Sequence, residues 1–423
     1  MNVLLLGSGG RENAIAWKLS RSPLLNALFI APGNAGTADY GQNIAINPLD
    51  FEAVKTTTLK YEIDLVIVGP EEPLVRGIVD FFLNDPSLQN TPIIGPSQQG
   101  ALLEGSKEFG KQFMHKYGIP TASYRSFSKE QLNEGLAYLQ KLTPPIVLKA
   151  DGLAAGKGVL ILDDIVQAAQ NLSDMLGGKF GDASSKVVIE EFLNGIEFSV
   201  FVLTDGATYQ LLPIAKDYKR IGENDSGLNT GGMGAVSPVS FVDKDLLEKV
   251  KKRIIEPTIK GIGKEKINYT GFIFFGLIAV KGEPYVIEYN CRLGDPETEV
   301  VLPRIKNDLL DLLIQTTRGN LGAQSIEITE DYALTTILVS QGYPEEYEKG
   351  HEIKGIEEID EAIVFHAGTK IESNKLITNG GRVLAITGMG GSKSEAKKIS
   401  IEAAEKILYQ GKYYRTDIGF DLE

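Results

Sequence analysis

Val147-Leu148-Lys149-Ala150-Asp151-Gly152-Leu153-Ala154-Ala155-Gly156-Lys157-Gly158-Val159 reads as a strand, a glycine turn and a return strand. Glycines let backbone N–H groups come close to a phosphate, and Lys149 and Lys157 add cationic donors. The stretch is not a Walker loop, because Gly152 to Gly156 is one residue short and Gly158 stands where a metal-binding Ser or Thr belongs. Two flanking strands favour a hairpin lid over a loop that caps a helix. An ordinary hairpin accounts for the same residues, so the rest of the chain must decide.

Further along, Val286-Ile287-Glu288-Tyr289-Asn290-Cys291-Arg292-Leu293-Gly294-Asp295-Pro296-Glu297-Thr298-Glu299 ends an apolar strand in alternating polar groups. Side chains on a strand alternate faces, so Glu288, Asn290 and Arg292 share one side and Cys291 takes the other. A carboxylate and an amide oxygen two residues apart are hard ligands of the kind Mg2+ accepts beside waters and nucleotide phosphates. A solvated strand edge is the competing reading. Glu190-Glu191-Phe192-Leu193 ends another strand before Gly195, where backbone groups could read an adenine edge and a carboxylate a ribose. Residues 213–238 are expected to be a long, mostly structureless segment whose glycines, Asp217, Lys219 and Arg220 suit an anionic substrate.

A chain of 423 residues calls for about two to four domains. Lys plus Arg is 43 against 56 Asp plus Glu, and the net charge of −13 argues against a broad nucleic-acid surface. The single cysteine, Cys291, has no partner for an internal disulfide, and three histidines make a Cys/His zinc site implausible. A reducing, cytoplasmic enzyme is expected. Met1 to Gly7 reads as a first strand rather than a signal peptide, and Phe272 to Val280 is a buried strand too short to cross a bilayer.

Residues 1 to about 105 alternate strands (3–6, 28–30, 65–68, 92–94) with helical stretches, as an open parallel α/β sheet does. Gly7 to Asn13 follows the first strand and opens a helix, so its backbone N–H groups could receive a phosphate. Glu12 stands where a dinucleotide fingerprint would have its third glycine, and no acidic residue closes the second strand, which disfavours nicotinamide chemistry. Ser106 is expected to cap a helix bearing Phe109, Phe113 and Tyr117. From Tyr124 to Leu193, two strand regions surround the glycine loop and a helix. Beyond about residue 326, strands at 333–339, 362–366 and 383–387 precede a final helix with the apolar stripe Ala396, Ile399, Ala403 and Ile407.

Taken together with Gly7 to Glu12, Ala31 to Thr37, Val68 to Glu71, Leu103 to Lys107, Asn229 to Ala235, Gly294 to Thr298 and Phe365 to Thr369, these runs are spread along nearly the whole chain. In their order and spread the chain resembles the phosphoribosylamine-glycine ligase family of ATP-grasp enzymes in purine biosynthesis. The resemblance implies an α/β and α+β multidomain fold. Its parts are an N-terminal parallel α/β domain (1–105), an ATP-grasp core (106–325, lid about 122–193) and a small C-terminal α+β domain (326–423).

The resemblance also implies roles. Lys107, Lys149 and the loop with Gly152, Gly156, Lys157 and Gly158 would contact ATP phosphates, while Glu190, Glu191, Phe192, Leu193 and Glu197 would hold adenine and ribose. Glu288 and Asn290 would bind Mg2+ or Mn2+. Gly9, Gly10, Arg11, Asn34, Gly69, Pro70 and Glu71 would line the phosphoribosylamine site, with Lys219, Thr230, Gly231, Gly232 and Glu297 in the substrate site and Arg292, Asp217 and Asp295 at the joining centre.

The implied partners are glycine, 5-phosphoribosylamine and ATP, with no nucleic acid or membrane and a monomeric enzyme. No histidine lies in the central motifs and Cys291 faces away, so a thioester route is disfavoured. The chain departs from the family's usual residues at Asn13 and Tyr218 (His), Leu293 (Phe) and Glu299 (Gln). Asn13 and Tyr218 matter if either touches substrate.

Overall fold

Four apolar strands, Asn2–Gly7, Ala27–Pro32, Leu65–Val68 and Ile93–Pro96, run parallel near the start of the chain, with a two-residue strand Gln42–Asn43 at the edge. Their near-continuous hydrophobic sequence follows from burial on both faces by the connecting helices. This computed structural model describes residues 1–153 and 158–422, the side chain of Asp182 excepted.

The parallel sheet does not stop at the end of this region. Ile93–Pro96 pairs antiparallel with the start of Tyr269–Val280, through Tyr269 opposite Pro96 and Thr270 opposite Gly95. That long strand is flanked by Ile196–Thr204 and Glu283–Asn290, which makes one nine-stranded sheet running from the N-terminal loops to the middle of the chain. Loops at the ends of both parts therefore meet.

Residues 124–191 form a separate layer. Tyr124–Ser128, Lys186–Glu191, Ile146–Ala150 and Val159–Leu162 pair antiparallel in that order, covered by helices Leu132–Leu139 and Ile165–Leu176. Phe127, Leu148, Leu172, Met175 and Ile189 give this layer its own core. The expected hairpin is present as Ile146–Ala150 against Val159–Leu162. Leading into the layer, Ser106 accepts the Phe109 N–H at 3.1 Å and so starts helix Lys107–Lys116.

The segment at 213–238 differs from the expectation of a long loop. Gly234–Ser237 pairs with Tyr332–Val339, and Lys216–Asp217 pairs with Gly234–Ser237, at one side of a five-stranded sheet completed by Arg382–Gly390 and Ile363–His366. Gly234 stands opposite Thr336, a partner too distant in sequence for local periodicity to signal. Helix Lys393–Lys406 covers this sheet with Ala396 and Ala403, followed by buried Ile407, whereas Ile399 lies only partly buried. Among the described residues, no helix is long and apolar enough to cross a membrane.

Candidate active site

Strand Glu283–Asn290 is irregular where it matters. Glu288 stands opposite Gly276 but Val286 stands opposite Leu277, which leaves Ile287 as an extra residue in a β-bulge. Bulges re-aim the strand that carries them. Here the Ile287 carbonyl accepts Lys149 Nζ at 3.0 Å, joining the lid hairpin to the central strand. Glu288 lies 3.9 Å from Lys107 Nζ. Burial opposes its ionisation, but Lys107, Lys219, Lys149 and Arg292 together hold its pKa below the ordinary value. Asn290, two residues on, is buried.

One carboxylate and one amide oxygen cannot fill a divalent cation's coordination shell. Among the described residues, no group of three acidic, His or Cys side chains is arranged to hold a metal ion. The pair does suit a cation that brings phosphate oxygens with it, and the surrounding lysines are placed to balance those phosphates.

Glu190 sits between two lysines, Lys111 Nζ at 3.0 Å and Lys149 Nζ at 3.1 Å, with all three side chains nearly inaccessible. Lys111 also donates to Thr121 Oγ1 at 2.8 Å. Burial lowers its pKa to about 8 despite Glu190. One Glu190 oxygen, Oε1, has no hydrogen-bond partner. Glu191 points elsewhere and accepts the Ser123 N–H at 2.8 Å, while Phe192 is exposed and Leu193 half-buried at the strand end. Gly152 donates its N–H to the Ala183 carbonyl and the Gly158 carbonyl accepts from Ala150. Gly156 and Lys157 lie outside the described residues.

After the strand, Arg292 enters an ionic lattice. Its Nη2 lies 2.9 Å from Glu104 and its Nε 3.2 Å from Glu71. Burial would raise the Glu71 pKa, but Arg292 and Arg11 outweigh it and bring it down to about 2. Arg11 donates from Nε to Glu12 at 2.7 Å and from Nη1 to the Leu293 carbonyl at 3.1 Å. The second Glu12 oxygen takes the Gly9 N–H at 2.6 Å. A Cβ on Gly69 would come within 2.2 Å of Glu12, so this carboxylate is packed under the loop. Pro70 leads into helix Glu71–Val75. The start of the first helix thus already faces a negative charge, which modifies the expectation of an open phosphate cradle there.

Asn34 is also engaged: its amide donates to the Ser8 and His366 carbonyls at 2.9 and 2.7 Å, and its Oδ1 accepts the Thr37 N–H. It ties the N-terminal glycine loop to the strand ending at His366.

A second group of charges surrounds Lys219, 2.6 Å from Glu197 and 3.9 Å from Asp217. Partial desolvation works against its charge although nearly half the side chain is exposed, yet Asp217, Glu197 and Glu288 raise its pKa well above the ordinary value. Lys219 in turn lowers the pKa of Glu197. Asp217 titrates above its usual range, through burial first and Glu197 among its neighbours. Glu297, held by Ser199 Oγ at 3.1 Å, is pushed up to about 7 by burial and then by Asp217.

Asp295 is fixed by Arg382, whose Nη2 lies 3.0 Å from its carboxylate and whose Nη1 donates to the Asp295 and Gly231 carbonyls at 2.9 and 2.7 Å. Thr230 Oγ1 donates to the Lys219 carbonyl and accepts the Gly232 N–H. Gly232 has φ +117, and a Cβ there would lie 2.4 Å from Pro296, so glycine is required. A Cβ on Gly10 would strike Glu299.

The structure therefore brings Lys107, Lys149, Glu288, Glu197, Asp217, Lys219 and Arg292 into one electrostatic field. Sequence reasoning missed Glu104, Lys111, Ser199 and Arg382. Glu104 lay in a quoted motif and could have been marked; the others had no local signal. Of the departures, Tyr218 is buried with its hydroxyl on Asp421 at 2.6 Å, and Asn13 accepts the His366 N–H at 2.9 Å. Both are structural contacts. Leu293 and Glu299 are buried too.

Comparison with known proteins gives a consistent result. Family models described as phosphoribosylglycinamide synthetase N domain, ATP-grasp (A) domain and C domain match residues 1–104, 105–298 and 333–421. Phosphoribosylamine–glycine ligases from Pasteurella multocida and Salmonella typhi are 44% and 45% identical, each over 99% of this chain and 98% of their own. A crystal structure of phosphoribosylamine–glycine ligase from Thermotoga maritima superposes with a TM-score of 0.86 at 37% identity, covering 99% of this chain and 100% of that one.

Proposed function

We infer the chemistry of this chain from one premise: it belongs to the phosphoribosylglycinamide synthetase family, whose three domain models match it in succession. It is an ATP-grasp ligase that joins glycine to 5-phosphoribosylamine in purine biosynthesis. ATP is a substrate. In the proposed route the glycine carboxylate oxygen bonds to the γ-phosphorus as the bond to ADP breaks, giving glycyl phosphate. The amine nitrogen of phosphoribosylamine then bonds to the acyl carbon, phosphate leaves, and a proton is lost.

The observation that carries this reading is the cationic wall of Lys107, Lys149 and Arg292 around Glu288 on a bulged strand. Phosphoryl transfer asks the protein mainly for positioning and charge balance. Lys107 and Lys149, with the Gly152 and Gly158 ends of the lid hairpin, are assigned to the ATP phosphates. Glu190 to Leu193 and Glu197 are assigned to adenine and ribose. Glu288 and Asn290 would hold Mg2+ or Mn2+, which when bound would neutralise charge on the transferring group. Arg292 orients the glycine carboxylate, while Asp217 and Glu297 are acceptors for its ammonium. Gly9 to Arg11, Asn34 and Gly69 to Glu71 border the phosphoribosylamine site, and Arg382 keeps Asp295 in place.

Closing the lid would shield an acyl phosphate from water. As working divisions we take 1–105, 106–325 with its lid at about 122–193, and 326–423. The deciding experiment is coupled ADP detection with glycine and freshly generated phosphoribosylamine, omitting each in turn. Release that requires both is expected; release with neither would refute the assigned reaction.

A further inference from the structure

Strands Arg220–Gly222 and Ser226–Asn229 form a hairpin that lies between Lys219 and Thr230 and is largely exposed. Two short strands without a core of their own do not hold a shape in water. What holds this hairpin comes from residues 415–421. The Arg415 side chain is fully buried and donates to the Arg220 carbonyl at 3.1 Å, to Asp225 at 2.7 Å and to both oxygens of Asp417 at 2.8 and 2.9 Å. Asp417 also accepts the Asn224 N–H at 2.7 Å, and Thr416 Oγ1 donates to Glu223 at 2.5 Å. Asp421 accepts the Tyr218 hydroxyl at 2.6 Å and pairs with Lys216 at 3.3 Å. Phe420 packs on the Tyr218 ring with centroids 6.0 Å apart.

These contacts converge on the residues either side of Asp217 and on the first arm and the turn of the hairpin. Charge-assisted bonds around a buried guanidinium are directional, and losing one leaves a charge unpaired. We propose that Arg415–Asp421 is a strap that orients the segment from Lys216 to Thr230, with Asp421 a positioning residue that acts through Tyr218 and Lys216 to aim Asp217 and Lys219 at the substrates. The proposal rests on the reading of Asp217 and Lys219 given under Proposed function.

The test compares Asp421→Ala, Tyr218→Phe and the double variant in steady-state kinetics and amide hydrogen exchange. Each single change is expected to lower kcat/KM for glycine about tenfold while the ATP KM stays within about twofold. Exchange over residues 217–230 is expected to quicken. The double variant should be no worse than Asp421→Ala alone, because that change already removes the Tyr218 contact along with the Lys216 pair. Asp421→Asn, which keeps an oxygen for Tyr218, should recover part of the loss. Unchanged glycine kinetics and exchange in Tyr218→Phe overturn the strap, as does an equal loss toward ATP and glycine. Should Asp421→Ala fail to fold, Tyr218→Phe removes only a hydroxyl and carries the same test. Asp217→Asn run in parallel separates the two ideas: full turnover there overturns the substrate-facing reading, while faster exchange in Tyr218→Phe still supports the strap.

Discussion

Glu104 Oε1 lies 2.9 Å from Arg292 Nη2, and its second oxygen accepts the Cys291 N–H at 2.7 Å. One buried carboxylate therefore fixes both the guanidinium and the backbone from which that guanidinium projects. Cys291 Sγ, 3.1 Å from the same oxygen, is a packing group in this arrangement, and burial raises its pKa well above that of a reactive thiol.

Replacing Glu104 by Gln keeps the shape and removes the charge facing Arg292. The glycine KM is expected to rise about tenfold with the ATP KM within about twofold, since charge-assisted bonds outweigh neutral ones. Initial-rate kinetics with each substrate varied would read this. A matched rise for ATP would place Arg292 in the nucleotide site.

Glu190→Ala would leave Lys111 and Lys149 buried and facing each other. Breaking a buried pair in this way costs about 3–5 kcal/mol, measurable by urea unfolding. Lys111 adds a pH signature. Its folded pKa of about 8 lies below its ordinary 10.5, so between those values the unfolded chain binds more protons. This group's contribution to stability therefore rises with pH across that window and is lost as pH falls through about 8. Lys111→Met should remove that slope; an unchanged slope would show that Lys111 is charged throughout.

Glu297 has the opposite sign. Its folded pKa of about 7 stands above its ordinary 4.5, so its contribution to stability is present below 4.5 and lost as pH rises through about 7. If the ionised form grips the glycine ammonium, kcat/KM for glycine climbs through the same pH. In Glu297→Gln that rise should disappear, and a pH profile that kept it would remove Glu297 from this role.

Glu288→Ala should lower glycine-dependent ADP formation by at least about 100-fold while the chain still folds. Raising Mg2+ should not restore it. Full turnover in this variant would defeat the assignment of Glu288 to the metal.

The legible parts of the sequence were those with short-range causes. Apolar runs marked the parallel strands, and two strands around a glycine turn marked the lid hairpin. A capping serine marked the helix that carries Lys107. What escaped were partners set by distant pairing. Gly234–Ser237 looked like loop because its partner strand begins at Tyr332, and nothing near Lys111 in sequence marked its pairing with Glu190. Strand alternation placed Glu288 and Asn290 together but could not show the bulge at Ile287, which depends on Gly276 and Leu277 across the ladder. Tyr218 was singled out because it stands where the family usually has His, whereas its hydroxyl meets Asp421.

The five-stranded sheet takes Lys216–Asp217 and Gly234–Ser237 from the middle of the chain and three strands from its last hundred residues. Cutting between them would strip Gly234–Ser237 of Tyr332–Val339 and bare an unpaired strand edge, a recognised route to aggregation. The final segment is therefore no detachable cassette. Grafting it from a relative would also replace the scaffold beneath Asp217, so chimaeras should succeed only when residues 213–238 travel with it.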